Sequence, residues 1–93
     1  MDSAQTDTEP LATGATVILV VDDDAAVRQV AARVLQRVGY QVLQAGEGTE
    51  ALNVARAYPG RLDLLLTDVV MPGMNGRELG ERLSQERPDT RLL

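Results

Sequence analysis

The stretch Thr16-Val17-Ile18-Leu19-Val20-Val21 constrains this chain more than any other feature. It is a continuous apolar, β-rich run with no polar alternation. Such a run suits a strand buried on both faces, as in a parallel sheet. Such a sheet needs helices on its faces, and the sequence after the run supplies them. Three acids, Asp22, Asp23 and Asp24, come first. Val27, Val30, Ala31, Val34, Leu35 and Val38 then recur at helical spacing and predict a first helix with one apolar stripe, closed by Gly39. Tyr40 to Ala45 reads as a second strand and Gly46 to Gly48 as a loop. Thr49 to Ala57 reads as a second helix, ended by Pro59 and Gly60. Leu62 to Thr67 reads as a third strand with Asp68 at its end. A loop rich in Gly and Pro runs from Val69 to Gly76. Arg77 to Glu86 reads as a third helix with Leu79 and Leu83 facing inward, and Thr90 to Leu93 as the start of a fourth strand. Strand and helix alternate with short connections, which predicts right-handed βαβ units, an α/β class and a parallel sheet. Met1 to Ala15 is polar and aperiodic and reads as a flexible tail or linker, with one domain over residues 16–93.

Composition narrows the chemistry. A chain of 93 residues holds one small domain. With two Tyr, no Phe and no Trp, its core must be built from Val, Leu, Ile and Ala. The absence of Cys excludes disulfides and thiolate metal sites. The absence of His removes imidazole as base, ligand or phosphate carrier. All nine cationic side chains are Arg, and the net charge of −5 argues against a nucleic-acid surface while favouring cation binding where carboxylates cluster. The N-terminus carries no signal core, and no apolar run is long enough to span a bilayer, so the expected compartment is the cytoplasm.

The acids are the candidate site. In an open parallel sheet, sites form at the carboxyl ends of the strands near the switch in strand order. Asp22, Asp23 and Asp68 lie just past the ends of two apolar strands. If those strands are neighbours, the three carboxylates converge and repel one another unless a cation joins them. Oxygen donors without His or Cys select a hard ion, most naturally Mg2+. An Asp beside such an ion can act as a nucleophile towards phosphorus. A single Asp after a strand more often caps the next helix, which is the role expected of Asp24.

The segments VILVVDDD and LLLTDVVMPGMNG, with the spacing between them, resemble the receiver domain of two-component response regulators. The resemblance runs from Thr16 to Leu93. It implies a flavodoxin-like doubly wound sheet of strand order 2-1-3-4(-5). It also implies a cytoplasmic bacterial phosphorelay module, a switch rather than an enzyme, that accepts a phosphoryl group on Asp68 from a histidine kinase or phosphotransfer domain. Asp22 and Asp23 match the family's acidic pair. In the family pattern Asp23 and Asp68 touch Mg2+, Asp22 acts largely through water, and the backbone carbonyl of Val70 is a further ligand. Pro72 and Gly76 match positions that shape the loop. The family also carries a Ser or Thr ending the fourth strand and a Lys ending the fifth. This chain has no Lys and stops in its fourth strand. The expectation is therefore a partial receiver, marginally folded, poorly phosphorylated and open to self-association through an exposed sheet edge.

Other readings compete. Asp22-Asp23-Asp24 contains the Asp-x-Asp of haloacid-dehalogenase-type phosphatases, although that reading leaves the Met-Pro-Gly loop unexplained. Gly46-Glu47-Gly48-Thr49-Glu50-Ala51 fits a short dinucleotide-binding pattern, for which a loop and a helix start are the plainer account. A non-catalytic interaction module is the third. Arg28, Arg33, Arg37, Arg77 and Arg82 are expected on solvated faces and in ion pairs.

Overall fold

The computed structural model describes residues 16–68 and 73–92. Four strands and three helices alternate: β1 (Val17–Val21), α1 (Ala25–Val38), β2 (Gln41–Ala45), α2 (Gly48–Ala57), β3 (Leu64–Thr67), α3 (Gly76–Glu86) and β4 (Arg91–Leu92). Every pairing is parallel, and the sheet order is β2-β1-β3-β4. The predicted order 2-1-3-4 is the one found. Strand bounds are one or two residues shorter than the sequence pattern suggests, which is ordinary fraying at element ends.

The unbroken apolar run becomes the inner strand β1, with all five residues buried. Successive side chains point to opposite faces. Val17, Leu19 and Val21 join Ala51, Leu52, Ala55, Leu79 and Leu83 of α2 and α3 in the main core. α1 packs on the other face, beside Val20.

Local chemistry sets the ends of α1. The Asp24 carboxylate accepts from the amides of Ala26 (3.0 Å) and Val27 (3.3 Å), as expected of its N-cap. Gly39 ends the helix at φ 111°, a left-handed conformation that side-chain-bearing residues resist.

The apolar stripe of α1 is covered along one side only. Ala32 is buried, and Arg28, Ala31 and Leu35 are half-buried beside it. Val27, Val30, Val34 and Val38 are 51–68% exposed. At about 100° per residue, the valine stripe sits roughly a quarter-turn from the sheet-facing stripe, and Ala31 joins the two. Helical spacing shows which residues share a face, but a broad apolar face can be covered on one side only.

Two polar devices join α2 to α3. Arg56 Nε and Nη2 donate to Glu86 Oε1 and Oε2 at 2.8 and 2.7 Å. Arg87 donates to the carbonyls of Ala55 (2.6 and 3.1 Å), Tyr58 (2.6 Å) and Gly60 (2.9 Å), which ties the end of α2 to the end of α3. Thr90, the one buried polar residue of the described core, donates its hydroxyl to the Leu62 carbonyl at 2.7 Å. Arg77–Glu81 and Arg82–Glu78 form the expected i,i+4 ion pairs.

Replacing Arg87 with Met is expected to lower unfolding free energy by about 2–3 kcal/mol, because several carbonyls lose a charged donor. A denaturant midpoint within error of wild type would refute this. The Arg56 hydrogen bonds hold the Glu86 carboxyl below its usual range; the charges of Arg56 and Arg87 assist, and partial desolvation opposes. A depressed carboxyl stabilises the fold above its unfolded pKa, and that stability disappears as pH falls through the folded value. Arg56→Gln should therefore move the Glu86 titration upward towards an ordinary glutamate, as read by NMR.

Candidate functional site

The strand register builds the site. Val21 lies opposite Ala45 on one side and Thr67 on the other. The residues that follow, Asp22 and Asp68, therefore leave the sheet side by side at the carboxyl edge. The hydrogen-bond ladder extends one step into both: Asp68 N donates to Val21 O (3.1 Å) and Asp22 N to Ala45 O (3.2 Å). Between β1 and β3 the chain direction across the sheet reverses, because β2 lies on one side of β1 and β3 on the other. This is the switch point where sites form in such sheets.

Asp22, Asp23 and Asp68 converge here. Each offers a carboxylate oxygen, and the three oxygens lie within 4.8 Å of one another. Asp22 is half-buried, whereas Asp23 and Asp68 are exposed. They are the one cluster of metal-ligating side chains of this kind among the described residues. Three carboxylates so close repel one another unless cations neutralise them. The all-oxygen donor set suits a hard divalent ion such as Mg2+ and offers nothing to a soft one.

The loops around the carboxylates are held by specific contacts. The Asp24 amide donates to Asp22 Oδ1 at 2.9 Å, which orients that carboxylate. Arg28 Nη1 donates to the Asp22 carbonyl oxygen at 2.7 Å. This corrects the expectation that Arg28 lies on a solvated face. The helical pattern could not show it, because the partner is a main-chain carbonyl six residues back, in the loop before the helix. Asn75 caps α3 by accepting from the Glu78 amide at 2.8 Å.

Gly76 begins α3, and a Cβ there would overlap the Asp68 carbonyl oxygen. A Cβ on Gly48 would lie 2.7 Å from the Met74 Cβ, so the start of α2 and the end of the β3–α3 loop pack face to face. Val70 and Pro72, singled out as a carbonyl ligand and a loop-shaping residue, lie outside the described residues.

A cleft of about 350 Å3 opens between α1 and the sheet beside the carboxylates. Val20 and Leu66 are among its apolar lining, and Asp22, Arg28, Thr67 and Asp68 form its polar end.

Comparison with known proteins gives a consistent result. The profile of the response regulator receiver domain matches residues 18–93. The sensor kinase CckA of Brucella abortus is 39% identical over 80 residues, covering 86% of this chain. The chain spans only 8% of that kinase's length. The response regulator TrrA of Thermotoga maritima, crystallised in complex with Mg2+-BeF, superposes with a TM-score of 0.74 at 34% identity, covering 83% of this chain and 65% of that one. TrrA in complex with the histidine kinase ThkA superposes with a TM-score of 0.71, again at 34% identity, with the same coverage of both chains.

Gly76→Ala tests the close packing at the site. Helix propensity alone would make this change stabilising by up to about 1 kcal/mol. Overlap with the Asp68 carbonyl should reverse the sign, to a loss of about 1–3 kcal/mol. A raised melting temperature would show that the β3–α3 junction is looser than described.

Proposed function

Because the chain belongs to the response regulator receiver domain family, which works in two-component phosphorelay signalling, we propose that it accepts a phosphoryl group on Asp68 from a histidine kinase or a phosphotransfer domain. The observation that carries this reading is the convergence of Asp22, Asp23 and Asp68 at the β1/β3 switch point. A carboxylate nucleophile for phosphorus needs a neighbouring place for a cation, and three mutually repelling carboxylates at this edge support such a place.

An Asp68 carboxylate oxygen attacks the phosphorus of a phosphohistidine. The new O–P bond forms as the N–P bond breaks, and the imidazole nitrogen keeps the electron pair and takes up a proton. In this reading Asp23 and Asp68 would hold Mg2+ directly, with Asp22 acting largely through water and the Val70 carbonyl as a further ligand. When bound, Mg2+ neutralises the carboxylates and the charge on the transferred group. The Asp24 amide keeps Asp22 turned to its task. Gly76 lets α3 start directly against the Asp68 main chain. The protein is then a phosphoacceptor switch rather than an enzyme that turns over a substrate. The Mg2+-BeF complex of TrrA and its complex with ThkA support the ion and the class of partner.

The test is labelling with a small phosphodonor and Mg2+, read by intact mass. Wild type should gain one phosphoryl group, Asp68→Asn should gain none, and EDTA should abolish labelling. Asp23→Asn should slow labelling by roughly ten-fold or more through loss of a ligand. Equal labelling of wild type and Asp68→Asn would overturn the assignment of Asp68.

A further inference from the structure

We infer that Arg28 is a positioning residue for the cation site, and that Gly46 is a glycine because Arg28 must pass it. The inference rests on the metal-binding reading above and extends it to two residues outside the carboxylate set. Arg28 leaves α1 one turn after the acidic loop and returns to it. Its Nη1 donates to the Asp22 carbonyl oxygen at 2.7 Å, and the contact is partly buried. That oxygen belongs to the peptide joining Asp22 to Asp23, so the guanidinium sets the plane of the bond between the two acids. The same loop is held at two other points, by Asp22 N on Ala45 O and by Asp24 N on Asp22 Oδ1. Arg28 bonds this loop from the helix that follows it.

Gly46 lies beside the guanidinium. A Cβ at this position would sit 3.3 Å from Arg28 Nη1 and 3.3 Å from Glu50 Oε1. The Glu50 carboxylate already accepts from the Gly46 amide at 2.7 Å. The β2–α2 loop thus presents bare backbone beside the arginine, and a side chain there would crowd the guanidinium that bonds the Asp22 carbonyl. This accounts for the first glycine of the Gly46-Glu47-Gly48 pattern without a nucleotide. The second glycine gives way to Met74.

Two effects of Arg28 on a bound cation oppose each other. Its positive charge repels a divalent ion nearby. Its hydrogen bond holds the Asp22–Asp23 peptide in one orientation, so that both carboxylates need not be ordered when the ion arrives. The carboxylates are largely exposed, and repulsion is weakened there by water. The geometric contribution is not screened, so positioning wins. Groups that orient ligands in this indirect way typically change metal affinity ten-fold or more when removed.

The experiment uses Mn2+, an EPR-visible hard divalent cation, with thermal melting in EDTA as the control for folding. Arg28→Gln should weaken Mn2+ binding roughly ten-fold while the metal-free melting temperature stays within a few degrees of wild type. Gly46→Val, which keeps the guanidinium but crowds it, should weaken binding in the same direction. Arg28→Lys keeps the charge and most of the stem, supplies a folded comparator, and should still bind several-fold more weakly than wild type. Unchanged or tighter binding in Arg28→Gln overturns the inference, since charge repulsion would then dominate. Wild-type affinity in Arg28→Lys overturns it as well, because the guanidinium fork would then not be what holds the peptide, and so does wild-type affinity in Gly46→Val, because crowding the guanidinium would then not matter. Failure of the wild type itself to bind Mn2+ instead overturns the metal reading beneath it.

Discussion

The parallel pairing of β1 with β3 is the constraint on which the rest of the structure depends. β1 is hydrogen-bonded on both sides and buried on both faces. Burying side chains such as Ile18, Leu19 and Val21 stabilises the fold by about 1.5–3 kcal/mol each. No polar group can stand inside such a strand without a partner. The first position free of that demand is Asp22, and the equivalent position on β3 is Asp68. Parallel register then leaves the two acids side by side. The same burial that stabilises the sheet therefore gathers the charges at its edge.

Small residues around the site are explained by what approaches them. Gly46 makes way for Arg28, Gly48 for Met74 and Gly76 for the Asp68 main chain. In each case a neighbour from another element occupies the space that a Cβ would take. The acidic loop is consequently held between β2 and α1 rather than hanging free. Charge placed at a strand end becomes a site only when its loop is held in this way, because ordering flexible carboxylates around an ion opposes binding.

The two faces of the sheet are packed unequally. The α2–α3 face encloses a contiguous core and is tied at its far end by Arg56, Glu86 and Arg87. The α1 face rests on Ala32 with Ala31 and Leu35 at its margin, and its valines face outward among the described residues. The cleft beside the carboxylates lies on this more open face.

The sequence by itself determined the class of fold and the chemistry at its centre. A run of apolar β-formers, two helical repeats and short connections permit little besides a parallel α/β sheet. The carboxyl ends of β1 and β3 could be read directly, because each apolar run stops there and an acid follows. The capping by Asp24 and the inward faces of Leu79 and Leu83 were legible too, since they depend on spacing along one element. Tertiary structure decided what spacing cannot contain. It chose which half of the α1 apolar face meets the sheet, turned Arg28 back to a main-chain carbonyl and brought Arg87 onto three carbonyls of the α2 end. It also set Met74 against Gly48. Arg87 and Met74 join elements distant in sequence, the α1 packing selects between two faces of one helix, and Arg28 turns back onto the loop before its helix; periodicity along the chain is blind to all three.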